Sequence, residues 1–263
     1  MWTLLTPKHR RHHPEDHRGS PPSRHQSMVE TQTKGGRRIQ VVRRVLDTND
    51  IMADRNRKHF ASHGVFVLNM MSSPGSGKTT TLQRTLQCLA AQLRCAVIFG
   101  DICTTHDADR LAASGAPVVQ INTDEFGGDC HLAAHVVEKA VEQIDLDAVD
   151  LLIVENIGNL VCPAEFDIGE DKRVVVLSVT EGEDKPAKYP LMFRVCDALL
   201  LNKIDLLPYL DYDRTWVLKS IDQIHPGMPV FQISATSGEG FDAWIGWLLE
   251  AVRQKQDARQ PAT

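Results

Sequence analysis

Two groups of residues in this chain have types and spacings that could do chemistry. The first is the run "SSPGSGKTTTLQRTL", in which Ser73, Pro74, Gly75, Ser76 and Gly77 lead into Lys78, Thr79 and Thr80 behind the apolar stretch "VFVLNMM". A glycine-rich turn between a buried strand and a helix presents backbone N–H groups to phosphates. A lysine at this spacing reaches the outer phosphates, and the following hydroxyl can bind Mg2+. The strict pattern GxxxxGK followed by Ser or Thr begins with glycine, and here Ser72 takes that place. The second group is Cys130-His131 in "GGDCHLAAHV", with Cys162 farther on in "ENIGNLVCPAEFD". Thiolate and imidazole are good ligands for Zn2+ and Ni2+, but two adjacent side chains seldom fill a coordination sphere. Cys162 would add a third ligand, and a surface shared by two subunits would present each ligand twice. Residue chemistry alone still favours an ordinary cysteine beside a histidine in a helix-capping region. A catalytic Cys-His pair is disfavoured, because phosphoryl transfer needs no thiol nucleophile.

Further residues complete a nucleotide site. Asn202, Lys203 and Asp205 stand in "LLNKIDLL" after an apolar strand-like run. A carboxylate there can accept from guanine N1–H and the 2-amino group, a pair of donors that adenine lacks, so Asp205 is expected to select guanine. Ser234, Ala235 and Thr236, at the end of the next strand-like run, fit the backbone loop that completes such a pocket. Asp101 and Glu155 each end a strand-like run, where acids hold Mg2+ directly or through water. For either acid alone, a helix N-cap or a solvated strand end is an equal reading; the flanking motifs favour Mg2+, with Lys78, Asp101 and Glu155 as the catalytic set. No glutamine is placed to orient an attacking water, so slow intrinsic hydrolysis of GTP to GDP is expected.

The elements that must position these groups are legible as apolar runs. "VFVLNMM", "CAVIFGD", "PVVQIN", "DLLIVEN", "RVVVLSV", "DALLLNK" and "PVFQISA" alternate with amphipathic stretches such as 131–144 and 240–253. Near-continuous apolar strands require a sheet covered on both faces, so the sequence predicts an α/β, doubly wound fold with a mainly parallel sheet. Ahead of it, "IQVVRRVLD" (39–47) suggests a short strand and 49–64 a helix closed by Gly64, together an N-terminal extension. The expected division is a tail at 1–38, this extension at 39–64, a nucleotide-hydrolysing domain at 65–253 and a flexible end at 254–263.

Composition agrees with a globular body: 42% of residues are hydrophobic and 24% charged. The tail differs, since Lys8, Arg10, Arg11, Arg18, Arg24, Lys34, Arg37 and Arg38 outnumber Glu15, Asp16 and Glu30, whereas the whole chain carries −5. With little apolar periodicity it cannot offset its ordering entropy and is expected to be disordered. No run approaches the roughly 18 apolar residues of a membrane helix, and "MWTLLTPKHRRHH" turns basic too early for a secretory signal. A cytoplasmic protein that binds no membrane is the expectation. The six cysteines form no CxxC pair, and Cys88, Cys95, Cys103 and Cys196 fall on helix or strand patterns as core or incidental thiols.

"SSPGSGKTT", "CHL", "ENIGNLVCPAEFD", "LSVTEGEDKPAKYP", "LLNKIDLLPYLDYD" and "ISATSGEGFDAW", in this order, resemble the HypB family, over about residues 40–250. These are GTPases of nickel insertion into nickel–iron hydrogenase, with a P-loop NTPase domain of the SIMIBI type. The resemblance implies Ser72 as a family habit and a homodimer when GTP is bound. It implies Cys130, His131 and Cys162 as ligands for Ni2+ or Zn2+ at or near the dimer interface, and Mg2+-linked switch roles for Asp101 and Glu155. It also implies a dimer-surface role for Lys185, and as partners a nickel-delivery protein and a hydrogenase large-subunit precursor. Two departures stand out. No cysteine precedes Cys88, so the N-terminal cysteine motif of some members is absent; instead His9, His12, His13, His17 and His25 punctuate the tail, as a weak metal binder or a solvated cationic arm. The loop before Cys130 is long and acidic, with Asp124, Glu125 and Asp129.

Three other functions are weighed: a urease-type nickel GTPase, whose Cys-Pro-His motif is not present here; a non-enzymatic nickel or zinc store working through its tail; and a nucleic-acid binder. The acidic body and the lack of interleaved aromatics disfavour the last. Asp205→Asn is expected to lose GTP preference and gain affinity for xanthine nucleotide in competition binding; unchanged GTP binding refutes the guanine assignment.

Overall fold

The computed structural model describes residues 36–100, 115–121 and 130–259. Two compact units divide between Val41 and Val42, and the elements below belong to the second, with α1 beginning just ahead of the divide. Seven strands, β1 (Phe66–Ser72), β2 (Cys95–Gly100), β3 (Val118–Ile121), β4 (Leu151–Gly158), β5 (Lys172–Ser178), β6 (Ala198–Asn202) and β7 (Val230–Gln232), form one sheet. Its order is β3-β2-β4-β1-β5-β6-β7, every neighbouring pair parallel. The helical elements are α1 (Gly36–His63), α2 (Lys78–Leu89), α3 (Ala134–Val141), α4 (Cys162–Glu165), α5 (Lys185–Lys188), α6 (Pro190–Val195), α7 (Arg214–Ile224) and α8 (Phe241–Arg259).

All seven strands expected within 65–253 are present, and the apolar runs explain why. Along β4, Leu151 and Ile153 enter a core shared with Leu82 and Leu86 of α2 and Trp244 and Leu248 of α8. Their neighbours Leu152 and Val154 enter a second core with Phe60 of α1 and Val137 of α3. A strand buried on both faces must be apolar at every position, which removes the alternation of a half-exposed strand. A third core joins Val175 and Leu177 of β5 to Phe193 of α6 and Val217 of α7. The doubly wound parallel sheet predicted from sequence is the observed fold.

Two local expectations need correction. Residues 39–47 are not a strand: α1 runs unbroken from Gly36 to His63. The β-branched residues of that run favour a strand, but Asn49, Ala53, Asn56 and Phe60 are all buried at the spacing of one helical face. The helix that carries this face is continuous with the 39–47 stretch. Its end is as expected: Gly64 has φ +72°, and Val65 N–H donates to Phe60 O at 3.0 Å. At the other terminus α8 continues to Arg259, past the boundary expected at 253. Lys255 explains the extension, donating to Val65 O at 2.7 Å and to Asp171 Oδ2 at 2.6 Å beside the start of β1. Among the described residues no helix is long and apolar enough to cross a membrane.

Lys255→Met leaves Val65 O and Asp171 without this donor and is expected to lower stability by about 1–3 kcal/mol. The check is the urea midpoint at unchanged slope; an unmoved midpoint removes the anchoring role.

Candidate functional site

The central strand β1 delivers Ser72 to the C-terminal edge of the sheet, where the chain turns through Ser73–Gly77 into α2. Gly75 (φ +79°) and Gly77 (φ +87°) lie in the left-handed region, which glycine enters without strain. A Cβ on Gly77 would also come within 2.6 Å of Asn202 Nδ2. Ser72 needs no such freedom, since Lys203 is the one non-glycine residue with positive φ among those described. Its hydroxyl donates to Ser73 O at 2.9 Å. No side chain caps α2 at Gly77, so the N-terminal N–H groups of the helix remain available to an anion.

Glu155, on β4 beside β1, is 0% exposed. Its Oε1 accepts from Lys78 Nζ at 2.9 Å and from Thr79 Oγ1 at 2.7 Å, while Oε2, like Ser76 Oγ, is buried with no hydrogen-bond partner. An orphaned carboxylate oxygen and a threonine hydroxyl on one carboxylate form the hard oxygen set that suits Mg2+. Asp101, expected beside them, lies outside the described residues.

The expected base-binding residues flank the same loop. Asn202 is buried at the end of β6; its Nδ2 donates to Ser76 O at 2.9 Å, and its Oδ1 accepts from Ala235 N–H at 3.0 Å. One amide thus ties the phosphate-type loop to Ser234–Thr236. Lys203 Nζ donates to Gly75 O at 2.7 Å. Ser234 is buried, Thr236 is exposed, and Asp205 is exposed at the rim on the helical turn Ile204–Tyr209. Thr80 is half-buried in the first turn of α2.

Two residues missed in the sequence belong to this frame. Arg84 of α2 donates to the carbonyls of Ala235, Thr236 and Ser237, each at 3.2 Å. Glu181 accepts from the Ser73 hydroxyl and closes a capping box with Ser178. Its only signal was its place in "EGEDKP". Burial pushes the Glu181 carboxyl above its ordinary range, against the Ser73 and Ser178 hydrogen bonds and the charges of Lys185 and Lys203. Lys185 itself opens α5, with its ammonium 5.7 Å from the centre of the Tyr189 ring.

The other face of the β4 end meets the thiols. The pairing Met70↔Glu155 gives way to Ser72↔Gly158, one extra residue on β4, a bulge that re-aims side chains. While Glu155 faces α2, Asn156 Oδ1 accepts from Leu132 N–H at 3.1 Å, and Asn159 Nδ2 donates to Cys130 O at 3.3 Å. Cys130 Sγ lies 2.7 Å from Cys162 Sγ and 3.9 Å from His131 Nδ1. The His131 ring stacks on Phe166, centroids 3.7 Å apart at 27°. Leu132 fills the space where a Cβ on Gly100 would stand, 2.7 Å from its methyls. The two sulfurs therefore converge, with the imidazole adjoining. Among the described residues no group of three or more His, Cys, Asp or Glu side chains is arranged to hold a metal. Cys103, Asp124, Glu125, Asp129 and the tail histidines lie outside the described residues. Cys95 and Cys196 are poor ligands, for burial pushes the Cys95 thiol up to about 12 and the Cys196 thiol higher still.

The Glu181 environment yields a pH test. A carboxyl raised by folding contributes stability below its unfolded pKa, and that contribution is lost as pH rises through the raised value. Glu181→Gln keeps an acceptor for Ser73 without the charge, so its stability relative to the parent is expected to increase with pH across that window in thermal melts. A difference independent of pH contradicts the burial effect.

Comparison with known proteins identifies the family. The model of the "CobW/HypB/UreG, nucleotide-binding domain" family matches residues 66–232. The hydrogenase maturation factor HypB of Escherichia coli K12 is 50% identical over 212 residues, covering 81% of this chain and 72% of that protein. The crystal structure of HypB from Helicobacter pylori in complex with nickel has 36% identity and a TM-score of 0.73, covering 82% of this chain and 99% of that one. HypB from Archaeoglobus fulgidus has 33% identity and a TM-score of 0.73, covering 78% and 99% respectively. The chain belongs to the CobW/HypB/UreG family of nucleotide-binding domains, as a P-loop GTPase of its HypB branch, the hydrogenase maturation factors.

Proposed function

We propose that the chain is a GTP-hydrolysing metallochaperone of the cytoplasm that carries nickel toward a hydrogenase large-subunit precursor, with a nickel-delivery protein as its donor or co-worker. The observation that carries this reading is the double face of the β4 end, with Glu155 against Lys78 and Thr79 on one side and Asn156 against the Cys130 segment on the other. Relatives named hydrogenase maturation factor, one of them crystallised with nickel, support the cargo.

In the proposed reaction Ser73–Thr80 surround the GTP phosphates, and Lys78 exchanges Glu155 for the phosphate oxygens. Thr79 and Glu155, together with Asp101, would hold Mg2+, which supplies charge neutralisation for the leaving phosphates. Asp205 reads the guanine edge, while Asn202 and Ser234–Thr236 hold the pocket's wall to the loop. Lys78 offsets charge on the transferred phosphoryl group, and with no glutamine placed by the sequence to orient water the intrinsic rate is slow. Cys130, His131 and Cys162 take Ni2+ or Zn2+. Two sulfurs and one imidazole leave room for further ligands, which a second copy would supply in a homodimer formed when GTP is bound, with Lys185 on the nucleotide-dependent surface. Motion of Glu155 on GTP turnover shifts the bulge and, through Asn156 and Asn159, the Cys130 segment.

A metal store is the second reading, favoured by the tail histidines of the sequence. The test is nickel and zinc titration of tail-less protein carrying Cys130→Ala, His131→Ala and Cys162→Ala. Loss of about one bound metal per subunit or per dimer is expected; stoichiometry equal to the tail-less parent removes the site, and an absence of phosphate release with and without the tail, together with metal binding that is lost with the tail, favours storage.

A further inference from the structure

The buried amides of α1 bond neither the phosphate-type loop nor β6, and their hydrogen bonds have a common destination. Asn49 is 7% exposed and Asn56 3%. A buried amide is tolerated only when it is hydrogen-bonded, and an apolar side chain at such a position would pack without that requirement. Asn49 Oδ1 accepts from Ala134 N–H at 3.0 Å, and its Nδ2 donates to Asp167 O at 2.7 Å. Asn56 Nδ2 donates to Ala134 O at 2.8 Å and to Ile168 O at 3.0 Å. Both backbone groups of Ala134 and two successive carbonyls at Asp167 and Ile168 are thus gripped by two side chains on one helix face.

These gripped positions close the two segments that carry the thiols. Ala134 opens α3 directly after Cys130-His131-Leu132-Ala133. Asp167 follows Phe166, the ring stacked under His131, in the segment that begins at Cys162. Close approach of that segment to α1 is possible because Gly169 has φ +92° and no side chain; a Cβ there would lie 2.7 Å from Ala53 O and from Asn56 Cβ. Arg57 adds an ion pair to Asp167 at 2.6 Å from the same helix.

We propose that Asn49 and Asn56 are positioning residues for the Cys130/His131/Cys162 site, setting the separation of its two ligand-bearing segments; this rests on the reading of that site as metal-binding. Side chains that lock ligand-bearing backbone govern metal affinity because a ligand set displaced by a fraction of an ångström loses bond strength at every member. The asparagine bonds reach neither the phosphate-type loop nor β6, so their loss is felt at the sulfurs and not at the nucleotide. α1 is accordingly a structural part of the thiol site, not a detachable extension.

The test uses the full chain with Co2+ as probe, reading the thiolate-to-cobalt charge-transfer band, to which histidine-only binding in the tail does not contribute. Asn49→Leu and Asn56→Leu are expected to require about tenfold to a hundredfold more cobalt for half-maximal band intensity, with guanine-nucleotide affinity unchanged. Asn49→Asp keeps the acceptor for Ala134 N–H but turns a second acceptor toward Asp167 O, and is likewise expected to weaken cobalt binding; it decides the matter if the leucine variants do not fold. Cobalt titrations matching the parent in these variants overturn the proposal. So does a proportionate loss of nucleotide binding, which would make the asparagines supports of the whole fold. A band absent from the parent, or surviving Cys130→Ser/Cys162→Ser, overturns instead the metal reading on which the proposal rests.

Discussion

The arrangement depends on one buried ion pair. Glu155 has no exposure, and Lys78 and Thr79 both bond the same carboxylate oxygen. Removing one partner of such a pair costs about 3–5 kcal/mol, so the first turn of α2 and the end of β4 are held to each other. The second carboxylate oxygen, buried and unpartnered, keeps that junction short of full satisfaction. A junction of this kind is well suited to exchange: an incoming phosphate competes for Lys78, and a cation competes for the carboxylate and the hydroxyl.

From this junction the rest of the site follows by position along β4. Successive side chains on a strand point to opposite faces, so Glu155 and Asn156 address different regions. The extra residue before Gly158 then lets the chain pass close under Pro74, from which a Cβ on Gly158 would stand only 3.3 Å. Beyond it, Asn159 reaches the Cys130 carbonyl and the chain arrives at Cys162, whose sulfur meets that of Cys130. The phosphate-type loop and the thiols are thus separated by one strand end. In the proposed function this short mechanical connection lets nucleotide turnover alter a metal grip, with α1 bracing the thiol segments from the far side.

The sequence made most of the sheet legible, because strands buried on both faces are apolar at nearly every position and turn signals bound them. The phosphate-type loop and Asn202 were legible from spacing, and Cys130 and Cys162 came together although thirty-two positions part them. What escaped were residues whose role exists only in three dimensions. Val41, Val42 and Val45 mimic a strand locally, yet they lie in one helix that runs from Gly36 to His63. Nothing in the spacing of Asn49, Asn56 and Asn156 marks them as buried amides with backbone partners. Arg84 resembles any helix-surface arginine, yet it holds three carbonyls of the Ser234–Ser237 turn region. Buried polar groups are identified by what they touch, which spacing does not encode.

Coupling between the two sites is the central claim, and thermodynamic linkage measures it directly. Nickel affinity should be determined with a non-hydrolysable GTP analogue bound and again with GDP bound, alongside the effect of nickel on the affinity for each nucleotide. The account predicts a difference of about 5–150-fold between the two nucleotide states, reproduced by the same factor in the reciprocal measurement. Equal nickel affinity in the two states, with nucleotide affinities indifferent to nickel, would leave a GTPase and a pair of thiols that share a strand end and nothing more.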